Sequence, residues 1–219
     1  MRGKKKIAVV LSGCGVYDGA EVHEAVLTLL AINRHGAEAV CFAPDIHQHH
    51  VINHVTGQSA PETRNVLVES ARIARGEISD LAKFDAAEVD ALVFPGGFGA
   101  AKNLSSFAFD GADASVNSGV EAVIKAMVAA GKPVAALCIA PVLLAKCLGD
   151  KVELTIGQDA DTAAALEKMG AHHIRSRQAE VVVDRKHKIV TSPCYMLESS
   201  VAQIADGADA VIKAVLGLL

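Results

Sequence analysis

The stretch Val134-Ala-Ala-Leu-Cys-Ile-Ala-Pro-Val142 constrains the fold more than any other. Its first four residues are apolar with no polar alternation, so a strand here is buried on both faces. Strands of that kind belong to parallel sheets covered by helices on both sides. Gly131 and Pro133 punctuate the chain before it, and after Cys138 the apolar residues Ile139, Val142 and Leu143 change to helical spacing. Pro141 fits there because a first helical turn has no use for the N–H it lacks. Cys138 therefore sits where a strand becomes a helix. Unpaired amide N–H groups and the helix dipole favour an anion at such a place, which predicts a thiol that ionises more easily than a free one. Two readings of it stand open: a nucleophile with donors already aimed at it, and a buried, inert cysteine.

The rest of the chain alternates in the same way. A strand is predicted at Ile7–Leu11, then a glycine-rich loop Ser12–Gly19. A helix follows over Ala20–His35, with an apolar stripe of Val22, Ala25, Val26, Leu29 and Leu30. Ala39–Ala43 is a second strand stopped by Pro44, completing a βαβ unit. Asp45–Pro61 is polar and irregular, and Glu62–Arg75 reads as a helix, although Val66-Leu-Val68 also suits a short strand. Further strands are expected at Asp90–Phe94 and Val152–Ile156, and helices at Gly119–Ala130 and Asp159–Met169. Val181–Val183 and Ile189–Thr191 flank a turn and resemble a hairpin. Leu197–Leu219 reads as a helix weakened near Gly207. The pattern predicts one domain over residues 1–219, an α/β three-layer sandwich around a mostly parallel sheet. In such sheets a ligand site lies at the carboxyl ends of the strands.

A chain of 219 residues with a formal charge of −4 offers no basic surface for nucleic acid. No apolar run is long enough to span a membrane, and Ile7–Leu11 is too short for a signal-peptide core. The five cysteines show neither disulfide pairing nor zinc spacing, which points to a reducing, cytoplasmic compartment. An Ala/Val-rich helix such as Ala20–His35 could pair with a copy of itself, so a homodimer is expected.

Three loops at strand carboxyl ends come together under this reading: Ser12–Glu21, Pro95–Gly99 and Cys138. The Gly96-Gly97 pair lets backbone approach a ligand and donate to an oxyanion, or is merely a tight turn. Glu21 opens the first helix, where a carboxylate complements the dipole. It is also placed to share a proton with Cys138. His23 is expected on another face of the helix from Glu21, and Glu24 on the same one. Gly13, Gly15 and Gly19 follow the first strand, but the third glycine comes one residue late for a dinucleotide loop. His47, His49, His50 and His54 lack a fixed acidic or cysteine partner and read as solvated loop histidines, with no metal. Cys194 is read as structural.

Gly19-Ala-Glu21, Pro95-Gly-Gly97, Gly99-Ala-Ala-Lys-Asn-Leu104 and Ala136-Leu-Cys138-Ile-Ala-Pro141 resemble the ThiJ/PfpI superfamily of flavodoxin-like, class I glutamine amidotransferase-like proteins. Within it, Leu11-Ser-Gly-Cys-Gly-Val-Tyr-Asp-Gly19, Thr63-Arg-Asn-Val66 and Phe94–Asn103 resemble the ElbB-type glyoxalases, also described as isoprenoid-biosynthesis proteins with an amidotransferase-like domain. The resemblance implies Cys138 as nucleophile, Glu21 as acid/base, and the N–H groups of Gly97 and Ile139 as oxyanion donors. Gly96 and Asn103 are the expected substrate contacts. It implies a cofactor-independent lyase turning glyoxal into glycolate, or removing glyoxal adducts from proteins, with glyoxal or a glycated protein as its partner. The superfamily often carries a histidine after the next strand, but Val152–Gly157 holds none, so the Cys-His-Glu triad of glutamine hydrolysis is not visible. The competing expectation is a non-catalytic protein in which Cys138 is an oxidisable sensor thiol.

Overall fold

The computed structural model describes residues 3–219. β1 (Lys6–Val10) runs into α1 (Val22–Arg34), and β2 (Glu38–Ala43) returns parallel to β1. A small antiparallel ladder of β3 (Ile52–Asn53) and β4 (Gln58–Ser59) precedes α2 (Val66–Ile73) and β5 (Ile78–Asp80). β6 (Ala91–Phe94) leads into the short helices α3 (Phe98–Lys102) and α4 (Phe107–Asp110), then α5 (Ser118–Ala129). β7 (Val134–Leu137) and α6 (Pro141–Leu148) flank Cys138. β8 (Glu153–Leu154), α7 (Ala160–Lys168) and β9 (His172–His173) form an excursion. It is followed by β10 (Val182–Asp184), β11 (Ile189–Ser192) and α8 (Val201–Leu216).

The main sheet has seven strands in the order β10-β11-β7-β6-β1-β2-β5. All its pairings are parallel except that of β10 with β11. The chain builds outward from β1 to β2 and β5, then crosses back to β6 on the other side. The strand order thus reverses beside β1, and the loops after β1, β6 and β7 meet there. Alternation sorts the side chains into two cores. Ile7, Val9 and Leu11 of the first strand pack with Ala25, Ile32, Ile204 and Val211 on the α1/α8 side. Ala8 and Val10 pack with Val120, Ile124, Leu143 and Leu144 on the α5/α6 side. This is the expected α/β sandwich with a mostly parallel sheet and flanking helices.

Local differences have physical reasons. The expected strand at Val152–Ile156 shrinks to β8, which pairs with β9 outside the main sheet. Side chains take its amides: Asp184 accepts from Glu153 N–H and Thr191 from Thr155 N–H. The helix expected from Glu62 starts at Val66, because Asn65 caps it by accepting from Val68 N–H at 3.0 Å. The terminal helix starts at Val201 on a Ser200–Gln203 capping box and is continuous through Gly207. A side chain at Gly207 would meet Ser192 Oγ at 3.4 Å, so this glycine seats α8 on β11. In α1 the buried face carries Glu24, Ala25, Thr28, Ala31 and Ile32, while Val22, Val26 and Leu30 of the expected stripe are exposed. No helix among the described residues is long and apolar enough to cross a membrane.

Candidate active site

Cys138 follows β7 with φ 58°, a left-handed conformation that a non-glycine residue adopts only when its surroundings hold it there. Its N–H donates to Ser192 O at 2.9 Å, continuing the β7–β11 ladder by one rung. Strict alternation would turn its side chain to the side of Val134 and Ala136. The left-handed backbone instead sends it to the opposite core, among the residues packed by α1 and α8. Three residues on, Pro141 occupies the first turn of α6, as its missing N–H allows.

On that side the thiol meets Glu24. This carboxyl is fully buried. Its Oε2 accepts from Gly96 N–H at 2.9 Å and its Oε1 from Tyr195 N–H at 3.2 Å. The Cys138 side chain faces the same carboxyl across Gly96, and the two shift each other's proton affinity. Burial, opposed by the two amide donors, pushes the Glu24 carboxyl up to about 7. Burial pushes the Cys138 thiol up as well, with a further rise from the charge of Glu24. The amides of Gly97 and Ile139 act on the sulfur in the other direction. The expectation of an easily ionised thiol is therefore overturned: desolvation outweighs the amide donors. What the site holds is a buried pair that keeps a proton between sulfur and carboxyl near neutrality.

Glu21 opens α1 as expected and lines the same cavity as Cys138. It is the N-cap of α1, and its Oε2 accepts from Glu24 N–H at 2.7 Å. The carboxyl that shares a proton with Cys138 is that of Glu24, one turn further in. An N-cap residue lies outside the helix, with φ −64° and ψ 123°, so counting angles from Glu21 misplaces His23, although Glu24 shares its face as expected. His23 Nδ1 consequently comes to 3.9 Å from Glu21 Oε1, and it lies 2.9 Å from the Tyr195 hydroxyl.

Gly96 is needed for a steric reason. A Cβ there would collide with the Cβ of Cys138 and come within 2.7 Å of Glu24 Oε2. Its N–H is already spent on Glu24, so of the glycine pair only Gly97, with φ 97°, directs its amide at the sulfur. Asn103 holds the structure and does not reach the cavity. Its carboxamide donates to Ser12 O and Asp18 O, both at 2.9 Å, and accepts from His49 N–H at 2.9 Å. It thereby staples the glycine-rich loop.

A cavity of about 480 Å³ opens over Cys138. Val16, Phe98, Ala101, Phe107, Ile139 and Met196 form its apolar wall, and Glu21, Asp159, Thr162 and Tyr195 its polar groups. Tyr195, Asp159 and Thr162 had no sequence signal as site residues. Tyr195 arrives only because β11 neighbours β7. Glu24 had one: an acidic residue among the buried positions of α1. Among the described residues no three or more His, Cys, Asp or Glu side chains are grouped to hold a metal. Of the histidine-rich loop, His54 bonds Ile52 O at 2.9 Å and His49 stacks on Phe109.

Comparison with known proteins agrees with the fold. Residues 6–196 match the model of the DJ-1/PfpI family. The human glutamine amidotransferase-like class 1 domain-containing protein 3, mitochondrial, is 52% identical over 227 residues, covering 99% of this chain and 84% of that protein. The rat ES1 protein homolog, mitochondrial, is 51% identical and covers 99% and 85%. The crystal structure of an Ehrlichia chaffeensis isoprenoid biosynthesis protein with amidotransferase-like domain superposes with a TM-score of 0.91 at 36% identity. That match covers 98% of this chain and all of the other. The cytoplasmic compartment read from the unpaired cysteines is corrected by the two mammalian relatives, both named mitochondrial. Free cysteines report a reducing environment and not which one it is. By the span of the family match and the identity to these relatives, the chain belongs to the DJ-1/PfpI family.

Proposed function

We propose that this protein is a cofactor-independent glyoxalase of the ElbB type, converting glyoxal and water to glycolate. One observation carries the reading: a cysteine on a strained elbow, facing a buried carboxyl, with two backbone donors beside its sulfur and a cavity above it. Several catalytic parts are thus assembled around one atom. Neighbourhood to a structure described as an isoprenoid biosynthesis protein with amidotransferase-like domain agrees with the ElbB assignment.

Cys138 sulfur adds to one aldehyde carbon as its proton passes to Glu24, which hands it on to the oxygen to give a hemithioacetal hydroxyl and is free again as a base. Gly97 and Ile139 N–H groups hold the developing oxyanion. A base removes the carbon-bound proton and returns one to the neighbouring carbon, giving a glycolyl thioester. Glu24, poised near 7, has the affinity to do both. Water then cleaves the thioester, releasing glycolate and restoring the thiol. Glu21, on the cavity wall, is the second carboxylate within this space. The sensor reading is weaker, because the carboxyls and paired backbone donors around the thiol are catalytic parts that a sensor does not need.

The test is glycolate formation from glyoxal by the pure protein with no added cofactor. Turnover in the wild type and at least about a thousandfold loss in Cys138→Ala support the reading. Equal rates in the two proteins reject it.

A further inference from the structure

The charge around the sulfur has one sign. Glu21 and Asp159 line the cavity, and among the described residues no lysine or arginine does. Asp159 caps α7 by accepting from Thr162 N–H at 2.8 Å, and the Thr162 side chain, with that N–H, holds its carboxyl below the usual range. Glu21 uses Oε2 for the α1 cap, and Oε1 has only His23 nearby, at 3.9 Å. Lys102 reaches over the Phe98 ring, but its ammonium is tied to Tyr17 O at 3.0 Å. Apart from the uncharged Thr162 and Tyr195, the remaining side chains of the wall are apolar or the Cys138 thiol itself. An anion entering here would lose water, meet two like charges and find no cation in return.

We propose that the cavity selects carbonyl compounds by charge: it takes uncharged or ammonium-bearing ones and rejects those that carry a carboxylate, such as 2-oxo acids. Glu21 and Asp159 are the specificity-determining residues. This deepens the glyoxalase reading, on which the identity of the reaction rests. The charge preference itself belongs to the cavity and is measurable without turnover.

Two thiol reagents of equal size and opposite charge supply the probe: the ethylammonium and ethylsulfonate methanethiosulfonates. Labelling of Cys138 is followed by peptide mass spectrometry at low salt, each rate divided by that for a free small thiol. The ammonium reagent should win by about tenfold or more, and the advantage should shrink in about 0.5 M salt. Glu21→Gln and Asp159→Asn each keep an oxygen for the amide they cap. Each should cut the ratio about threefold, and together they should bring it near unity. A wild-type ratio near one, faster labelling by the sulfonate, no labelling by either, or a ratio that survives both substitutions overturns the proposal. Glyoxal turnover is assayed on the same samples. Absent turnover with the ratio intact removes the glyoxalase reading alone, and turnover without charge discrimination removes this inference alone.

Discussion

The pairing of Glu24 with Cys138 has consequences for stability as well as chemistry. A carboxyl with its folded-state value raised from 4.5 to about 7 binds protons more readily folded than unfolded. Its contribution is therefore fully favourable below pH ~4.5 and is lost as pH rises towards ~7. The loss amounts to about 3 kcal/mol. Denaturant unfolding of the wild type should weaken across that window relative to Glu24→Gln, which cannot titrate there. Parallel curves for the two proteins would deny the buried carboxyl. Gly96 makes a second case. With Cys138 and Glu24 both in the path of its missing Cβ, Gly96→Ala must displace one of them. Activity should fall at least about a hundredfold, because small misplacements of reacting groups are costly. A Gly96→Ala protein with ordinary turnover would show that this close approach is unimportant. Legibility at this scale was mixed. Cys138 stood out because a buried run ends on it. Glu24 was expected on the face of Glu21, but nothing in the sequence chose between the two carboxyls, and Tyr195 was hidden because its neighbour is 171 residues away.

Elements place these residues, and their ends matter more than their middles. α1 delivers Glu24 because Glu21 caps it and Gly96 receives the buried carboxyl. The loop before α1 keeps its shape through Asn103, which lies in another element and uses three hydrogen bonds to hold it. Asn103→Ala should cost about 1–3 kcal/mol, since it strands buried backbone partners. Thermal unfolding measures that cost, and a loss below about 0.5 kcal/mol would contradict the stapling role. Sequence patterning located β7 and the β10–β11 hairpin closely because apolar runs and turn residues mark them. It missed β5, whose Ile78-Ser-Asp has no apolar run and pairs only at the sheet edge. It also missed α3 and α4, whose few residues carry too little periodicity to register.

For the whole molecule, the doubly covered sheet is what brings four segments distant in sequence to one sulfur. Its strand order was not readable from the chain, because pairing of β11 with β7 depends on packing and not on local pattern. The layering was readable, because strands apolar on both faces permit little else. Leu137, fully buried just before the elbow, ties the sheet to the α1/α8 core. Leu137→Ala should destabilise the fold by about 2–5 kcal/mol.

The central claim is that Glu24 is the base for Cys138, and kcat/KM for glyoxal as a function of pH tests it most directly. In the wild type it should rise through an apparent value near 7 as the carboxyl becomes free to accept the thiol proton. In Glu24→Gln that limb should vanish, with a loss of about a hundredfold or more on the plateau. The same profile and plateau in both proteins would contradict the account.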